Sequence, residues 1–158
     1  GARVIATVGS ADKGTLARAA GADEVIDFRA EDVGARMLAL TGGRGADRIL
    51  EPFFAKNAAL YPQMLGKGGT VIVYGAGGAE GAISASWGIQ NQPTIRFIYM
   101  YELPAQAYVD AVNDFSALQN AGRLRHLPVR EFPLDQIARC HEAVEAGNSG
   151  TRMILKLA

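Results

Sequence analysis

Thr70-Val71-Ile72-Val73-Tyr74 (TVIVY, residues 70–74) is a run of β-branched residues closed by an aromatic, with Gly66, Gly68 and Gly69 before it and Gly75, Gly77, Gly78 and Gly81 after it. A short apolar run between turn signals reads as a buried strand of a parallel sheet. Working outward, residues 3–8 (RVIATV), 24–28 (EVIDF), 46–50 (ADRIL) and 94–101 (TIRFIYMY) read as further strands. Helical patterns separate them. Ser10 or Asp12 caps a helix marked by Leu16, Ala17 and Ala20 and ended by Gly21. Residues 30–40 put Val33, Met37 and Leu40 on one face, and residues 57–65 form a short helix disturbed by Pro62. Residues 66–69 turn the chain.

Downstream, Pro104 opens a long helix with Tyr108, Val112, Phe115 and Leu118 on its inner face. Residues 126–133 are extended, residues 134–146 helical with Asp135 or its neighbour as N-cap, and residues 152–157 (RMILKL) a closing strand. Strands alternating with helices predict a doubly wound, mostly parallel α/β sheet. The rhythm breaks after about Arg123, which divides the chain into residues 1–122 and residues 123–158.

Composition narrows the partners. Among 158 residues, sixteen basic side chains cancel sixteen acidic ones, which leaves no electrostatic footprint for nucleic acid or an anionic membrane. No apolar run approaches the roughly 20 residues that span a bilayer. The single cysteine, Cys140, excludes an internal disulfide framework and a multi-cysteine zinc site. A reducing cytoplasm fits this usage. Cys140 has no visible base beside it and reads as an ordinary helix residue. His141 and Glu142 are adjacent on a helix and do not face each other, and His126 is distant in sequence, so neither histidine reads as a shuttle or ligand.

Four segments, in order, carry a resemblance: RVIATVGSADK (3–13), AGADEVIDFRAED (20–32), LGKGGTVIVYGAGG (65–78) and FPLDQIARCHEAVEAGNSGTRMILKL (132–157). Together the chain resembles the zinc-independent quinone oxidoreductase and zeta-crystallin branch of the medium-chain dehydrogenases. The resemblance implies a Rossmann-like sheet, with residues 1–122 part of an NADP-binding domain and residues 123–158 a C-terminal piece of the GroES-like catalytic domain. Residues 3–8 then look like the second strand of the family's nucleotide-binding fold. The family's first strand, glycine-rich turn and first helix would lie before Gly1, and no G-x-G-x-x-G occurs at a strand-to-helix junction here. The expectation is that residues 3–8 pair directly with residues 46–50, or that another chain fills the gap, because unpaired backbone is costly to bury.

The end of the first strand bears on the cofactor. NAD-selective folds usually place a carboxylate there for the ribose 2′-hydroxyl. Here the strand ends in Gly9-Ser10, with Lys13 a turn later. A hydroxyl and an ammonium suit the 2′-phosphate of NADPH, which a carboxylate would repel. The plain alternatives are a helix N-cap for Ser10 and a solvated surface lysine for Lys13. The resemblance places Phe28 where relatives often carry a tyrosine, and Arg29 beside it as a compensating contact to adenine or phosphate. Asp12, between Ser10 and Lys13, opposes the reading unless it turns toward backbone amides.

The resemblance also makes Gly75 and Ala76 backbone neighbours of the nicotinamide, against the plain reading of a glycine turn. Residues 51–54 (EPFF), at a strand's carboxyl end, are either a wall of the cofactor site or a packed loop. Tyr99, near the end of the strand from Thr94 to Tyr101, completes the candidate set. The exposed edge of that strand is a pairing hazard and predicts a homodimer.

The function implied is hydride transfer from NADPH to a small quinone or enone, with the chain as the later part of the enzyme and inactive alone. No side chain has a defensible catalytic role. The alternative is a nucleotide-binding or oligomerisation module without catalysis.

Overall fold

The computed structural model describes residues 1–147 and 150–157; Asn148 and Ser149, inside the last resembling segment, lie outside the described residues. In chain order the elements are β1 (Ile5–Val8), α1 (Ala11–Ala19), β2 (Glu24–Asp27), α2 (Val33–Leu40), β3 (Ala46–Glu51), α3 (Phe54–Asn57), a 3₁₀ turn (Ala58–Leu60), α4 (Tyr61–Met64) and β4 (Leu65–Val73). There follow α5 (Ala85–Asn91), β5 (Thr94–Phe97), a 3₁₀ turn (Met100–Glu102), α6 (Ala105–Asn120), β6 (Val129–Pro133), a 3₁₀ turn (Leu134–Gln136), α7 (Ile137–Glu145) and β7 (Arg152–Lys156). The chain divides into two compact units, residues 1–30 with 121–158, and residues 31–120. The sequence marks one break, near Arg123; the cut after Ala30 carries no sequence signal.

In the first unit β1 and β2 run parallel, Ile5 opposite Glu24 through Val8 opposite Asp27. Parallel neighbours need a crossover, and α1 supplies it. The helix starts where Ser10 Oγ accepts the Lys13 N–H at 3.4 Å, so Ser10 rather than Asp12 is the cap. Ile26, on β2, is fully buried. Gly14 lets α1 lie close to the pair, since a Cβ there would meet Val25 at 3.3 Å. β6 and β7 form a second parallel pair, with Phe132 buried and the Arg130 guanidinium 4.8 Å from its ring.

The second unit is a three-stranded parallel sheet in the order β3-β4-β5. Alternate residues of β4, Val71 and Val73, join Ala58, Tyr61 and Leu65 in one buried cluster, with Ile49, Phe54, Trp87 and Ile95 packed around it. The parallel pairing expected from the alternation is thus present in every strand pair among the described residues.

Several expectations differ from the structure. Residues 66–69 do not end a strand. They bulge within β4, four residues against Asp47 alone between the pairs Ala46–Leu65 and Arg48–Thr70. The helix expected over residues 57–65 is two single turns joined by a 3₁₀ turn, and Pro62 sits in the first turn of α4, where its missing N–H costs nothing. The helix expected from residue 30 starts at Val33, because the Asp32 carboxylate caps it by accepting from Ala35 N–H at 2.8 Å. α5 was not visible in the sequence: its segment, ASWGIQN, has no apolar period, and it forms because Ser84 caps it. Asp135 does not cap α7, whose first residues follow a 3₁₀ turn with no side-chain cap.

The strand expected from Thr94 to Tyr101 stops at Phe97, and Tyr99 and Tyr101 lie beyond it, around a 3₁₀ turn. The stripe on α6 is real, but Tyr108, Val112, Phe115 and Leu118 are exposed and not an inner face. Nor do the expected neighbours pair directly: among the described residues β1 is hydrogen-bonded along β2 alone, and β3 along β4 alone.

Candidate functional site

Three loops leave the carboxyl ends of β3, β4 and β5, the edge at which open parallel sheets bind ligands. Residues 54–55, 73–76, 78–81 and 97–99 line a cleft of about 660 Å³ there. Its walls include Phe54, Tyr74, Phe97 and Tyr99, and its floor the backbone of Gly75 and Ala76. Phe54 meets Phe97 edge-on at 5.1 Å between ring centroids, and Tyr99 meets Tyr101 likewise at 5.4 Å. Such pairs hold aromatic faces at fixed angles. Three residues expected to bind cofactor, Gly75, Ala76 and Tyr99, therefore come together. Among the described residues that line the cleft, Glu80 is the one carboxylate.

The cleft's floor is tied to the loop after β3. Phe54 N–H donates to Gly75 O at 3.3 Å, Ala55 N–H to Ala76 O at 2.8 Å, and Tyr74 N–H to Glu51 O at 3.1 Å. The approach is close enough that a Cβ on Gly75 would overlap the Pro52 carbonyl oxygen. In the loop of residues 51–54, Phe54 lines the cleft, while Phe53 is half exposed outside it, with Lys56 Nζ 5.9 Å from its ring.

Glu51 was read only as part of that loop, and the structure gives it more. It is 2% exposed and, among the described residues, the one charged side chain that is buried. Its Oε1 accepts from Phe53 N–H at 2.6 Å and Asn57 Nδ2 at 3.0 Å; its Oε2 accepts from Tyr61 Oη at 3.1 Å. Burial, and then the charge of Glu51 and the hydrogen bond to it, push the Tyr61 phenol well above its ordinary range. The sequence held a faint signal: Asn57 and Tyr61 are four apart and face one way across the helical turns after the carboxylate.

The other four expected residues lie in the first unit. Ser10 and Lys13 open α1 at the carboxyl end of β1, and Phe28 and Arg29 follow β2. Gly9 is what lets these strand ends approach: a Cβ there would meet Phe28 Cζ at 2.8 Å and Arg29 Nε at 3.4 Å. The Arg29 side chain thus reaches the strand end that Ser10 occupies, and Phe28 presents a half-exposed ring. Among the described residues no group of three His, Cys, Asp or Glu side chains is placed to hold a metal ion. Cys140 is half-buried and His141 exposed on α7.

This arrangement of parallel strands and carboxyl-end loops is that of a dehydrogenase nucleotide-binding fold, and over residues 1–118 the sequence matches the family described as zinc-binding dehydrogenase. The chain belongs to that family. Within it the chain is similar to quinone oxidoreductase 1 of Escherichia coli (strain K12), 29% identical over 157 residues that cover 92% of this chain and 46% of that protein. The solved structure of Escherichia coli quinone oxidoreductase complexed with NADPH matches at a TM-score of 0.83 and 24% identity, over 99% of this chain and 50% of that one. An NAD-dependent alcohol dehydrogenase matches at 0.84 and 28%, over 100% and 45%. The resemblance read from the four segments agrees with these matches. The chain spans about half the length of the relatives it matches.

Proposed function

We propose that this chain is the cofactor-binding part of a zinc-independent oxidoreductase that takes NADPH and reduces a small quinone or enone. The observation that carries the reading is the group at the carboxyl ends of β1 and β2. A capping hydroxyl (Ser10), an ammonium in the first helical turn (Lys13) and a guanidinium drawn over Gly9 (Arg29) stand where an NAD-selective fold places a carboxylate. That chemistry fits a 2′-phosphate. Asp12 is not the cap, and its carboxylate opposes the reading. In the second unit, Gly75, Ala76 and Tyr99 line an aromatic cleft suited to the flat nicotinamide ring. Bound NADPH supplies a hydride; the residues here bind and orient it. Residues 1–122 then serve as NADP-binding sequence and residues 123–158 as part of the catalytic domain. Turnover belongs to the whole enzyme, in the cytoplasm, and these 158 residues alone bind without reducing quinone.

The likenesses include proteins named for NADPH and for NAD, so the phosphate preference rests on Ser10, Lys13 and Arg29. Titration of the full chain with NADPH and NADH, followed by reduced-nicotinamide fluorescence, tests it. NADPH is expected to bind at least ~tenfold more tightly, and Lys13→Ala to remove most of that preference, since a charge-assisted hydrogen bond is worth about 1.5–3 kcal/mol. Equal affinities for the two nucleotides in the unaltered chain would refute the preference.

The partner proposed is a second copy joined along the segment from Thr94 to Tyr101. Among the described residues β5 pairs on one side, with β4, and Phe97 and Tyr101 are 64% and 89% exposed. Sedimentation of the chain at tens of micromolar is expected to give a dimer mass; a monomer alone removes the proposal.

A further inference from the structure

We propose that Glu51 is a positioning residue for the cleft: its buried carboxylate clamps the loop after β3, and that loop in turn fixes the Gly75–Ala76 backbone. The inference rests on the cofactor reading above for its consequence, not for its geometry.

The clamp has two stages. In the first, one carboxylate gathers three donors from three places: the Phe53 amide two residues on, the Asn57 side chain at the end of α3, and the Tyr61 hydroxyl at the start of α4. An ionised carboxylate only accepts, and its two oxygens have room for all three. Among the described residues no lysine, arginine or histidine forms an ion pair with it, so the donors compensate the charge. A buried charge held by donors tolerates little movement of them, because each lost bond leaves an uncompensated acceptor. The turn of residues 52–57 is therefore held in one conformation.

In the second stage that turn presents two amides to the cleft floor. Phe54 N–H reaches Gly75 O and Ala55 N–H reaches Ala76 O, and these amides follow directly on the Phe53 amide that Glu51 holds. The Glu51 backbone adds a third tie, accepting from Tyr74 N–H. Residues 75–81 contain four glycines and no helix or strand, so little in their own sequence fixes them. Their placement comes from the neighbouring turn. Glu51 itself does not line the cleft, so it acts on a ligand only through residues 53–55 and 75–76.

Two measurements on the full chain test this. Amide hydrogen exchange, resolved by peptide, reads the clamp without any ligand. Glu51→Ala is expected to speed exchange about tenfold in peptides covering Phe54 and Ala55, and to leave those covering β1 and β2 unchanged. Ligand binding reads the consequence, with NADPH and adenosine 2′,5′-bisphosphate as probes. Glu51→Ala is expected to weaken NADPH about tenfold and the bisphosphate, which lacks the nicotinamide, less than twofold. Glu51→Gln keeps an acceptor for Phe53 and Asn57 and offers its amide to the Tyr61 oxygen, so it is expected to restore both readouts to within about threefold.

Unchanged exchange in Glu51→Ala overturns the clamp. Equal weakening of both probes shows a general loss of fold and overturns the positioning role. If the unaltered chain binds no NADPH, the cofactor reading fails while exchange still decides the clamp. Should Glu51→Ala not fold, Asn57→Ala carries the test: it removes one donor, and about threefold faster exchange at Phe54 and Ala55 is expected, with no change counting against the proposal.

Discussion

Tyr61→Ala is expected to destabilise the second unit by about 4 kcal/mol in urea unfolding, the loss typical of a fully buried aromatic cut back to alanine. Tyr61 is wholly buried among Ala58, Leu65, Val71 and Val73, and Phe54 packs on it with ring centroids 6.1 Å apart. Tyr61→Phe separates packing from the hydroxyl. It keeps the ring and strands Glu51 Oε2 without its donor, for an expected loss of about 2 kcal/mol. Both variants remove the phenol, and with it a pH response that the unaltered chain has. The Tyr61 proton is held more tightly in the folded chain than in the unfolded one, through burial first and then the adjacent carboxylate. Its contribution is therefore complete below the ordinary phenol value near 10 and is lost as the pH rises beyond it. The stability gap between the unaltered chain and Tyr61→Phe should stay constant from pH 7 to 9 and shrink above pH ~10. A gap that holds constant to pH 11 would show that the phenol is not perturbed by folding.

What could be read from the sequence, and what could not, divides along physical lines. The strands were legible where β-branched runs abut glycine, as in residues 70–74, because burial on both faces leaves a compositional trace. Strand ends were less so. Phe97 and Tyr99 look alike in sequence, yet the ladder's last bond is Ile98 N–H to Val73 O, and where it stops depends on the length of β4. α5 was illegible because a seven-residue helix with a mid-helix glycine has neither period nor propensity; a single serine cap decides it. In the site, Gly75 and Ala76 were named through the family resemblance, and the structure brings them together with Tyr99 around one cleft. The importance of Glu51 was missed because a strand-terminal glutamate reads as a solvated end. Only the fold brings Asn57 and Tyr61 to it, and three donors converging on one carboxylate is a tertiary fact.

Two glycines, thirteen residues apart, are expected to respond to the same substitution with opposite signs. Gly75→Ala puts a methyl group into the Pro52 carbonyl, with Pro52 C and Cα at 2.9 and 3.1 Å as well, and these are backbone atoms that no rotamer change can move aside. Relief requires the carboxyl ends of β3 and β4 to separate, which breaks the Tyr74–Glu51 and Phe54–Gly75 hydrogen bonds. Overpacking of this kind costs about 1–3 kcal/mol and each lost bond about 1, so a destabilisation near 3 kcal/mol is expected. NADPH affinity should fall at least tenfold, because the displaced backbone is the cleft's floor. Gly88→Ala has open space around the new methyl and lies inside α5, so it is expected to stabilise by about 0.5–1 kcal/mol and leave binding unchanged. Thermal unfolding with and without NADPH reads both. If the two variants melt together, the close approach of residue 75 to the loop after β3 is not a feature of the folded chain, and the cleft built on that approach goes with it.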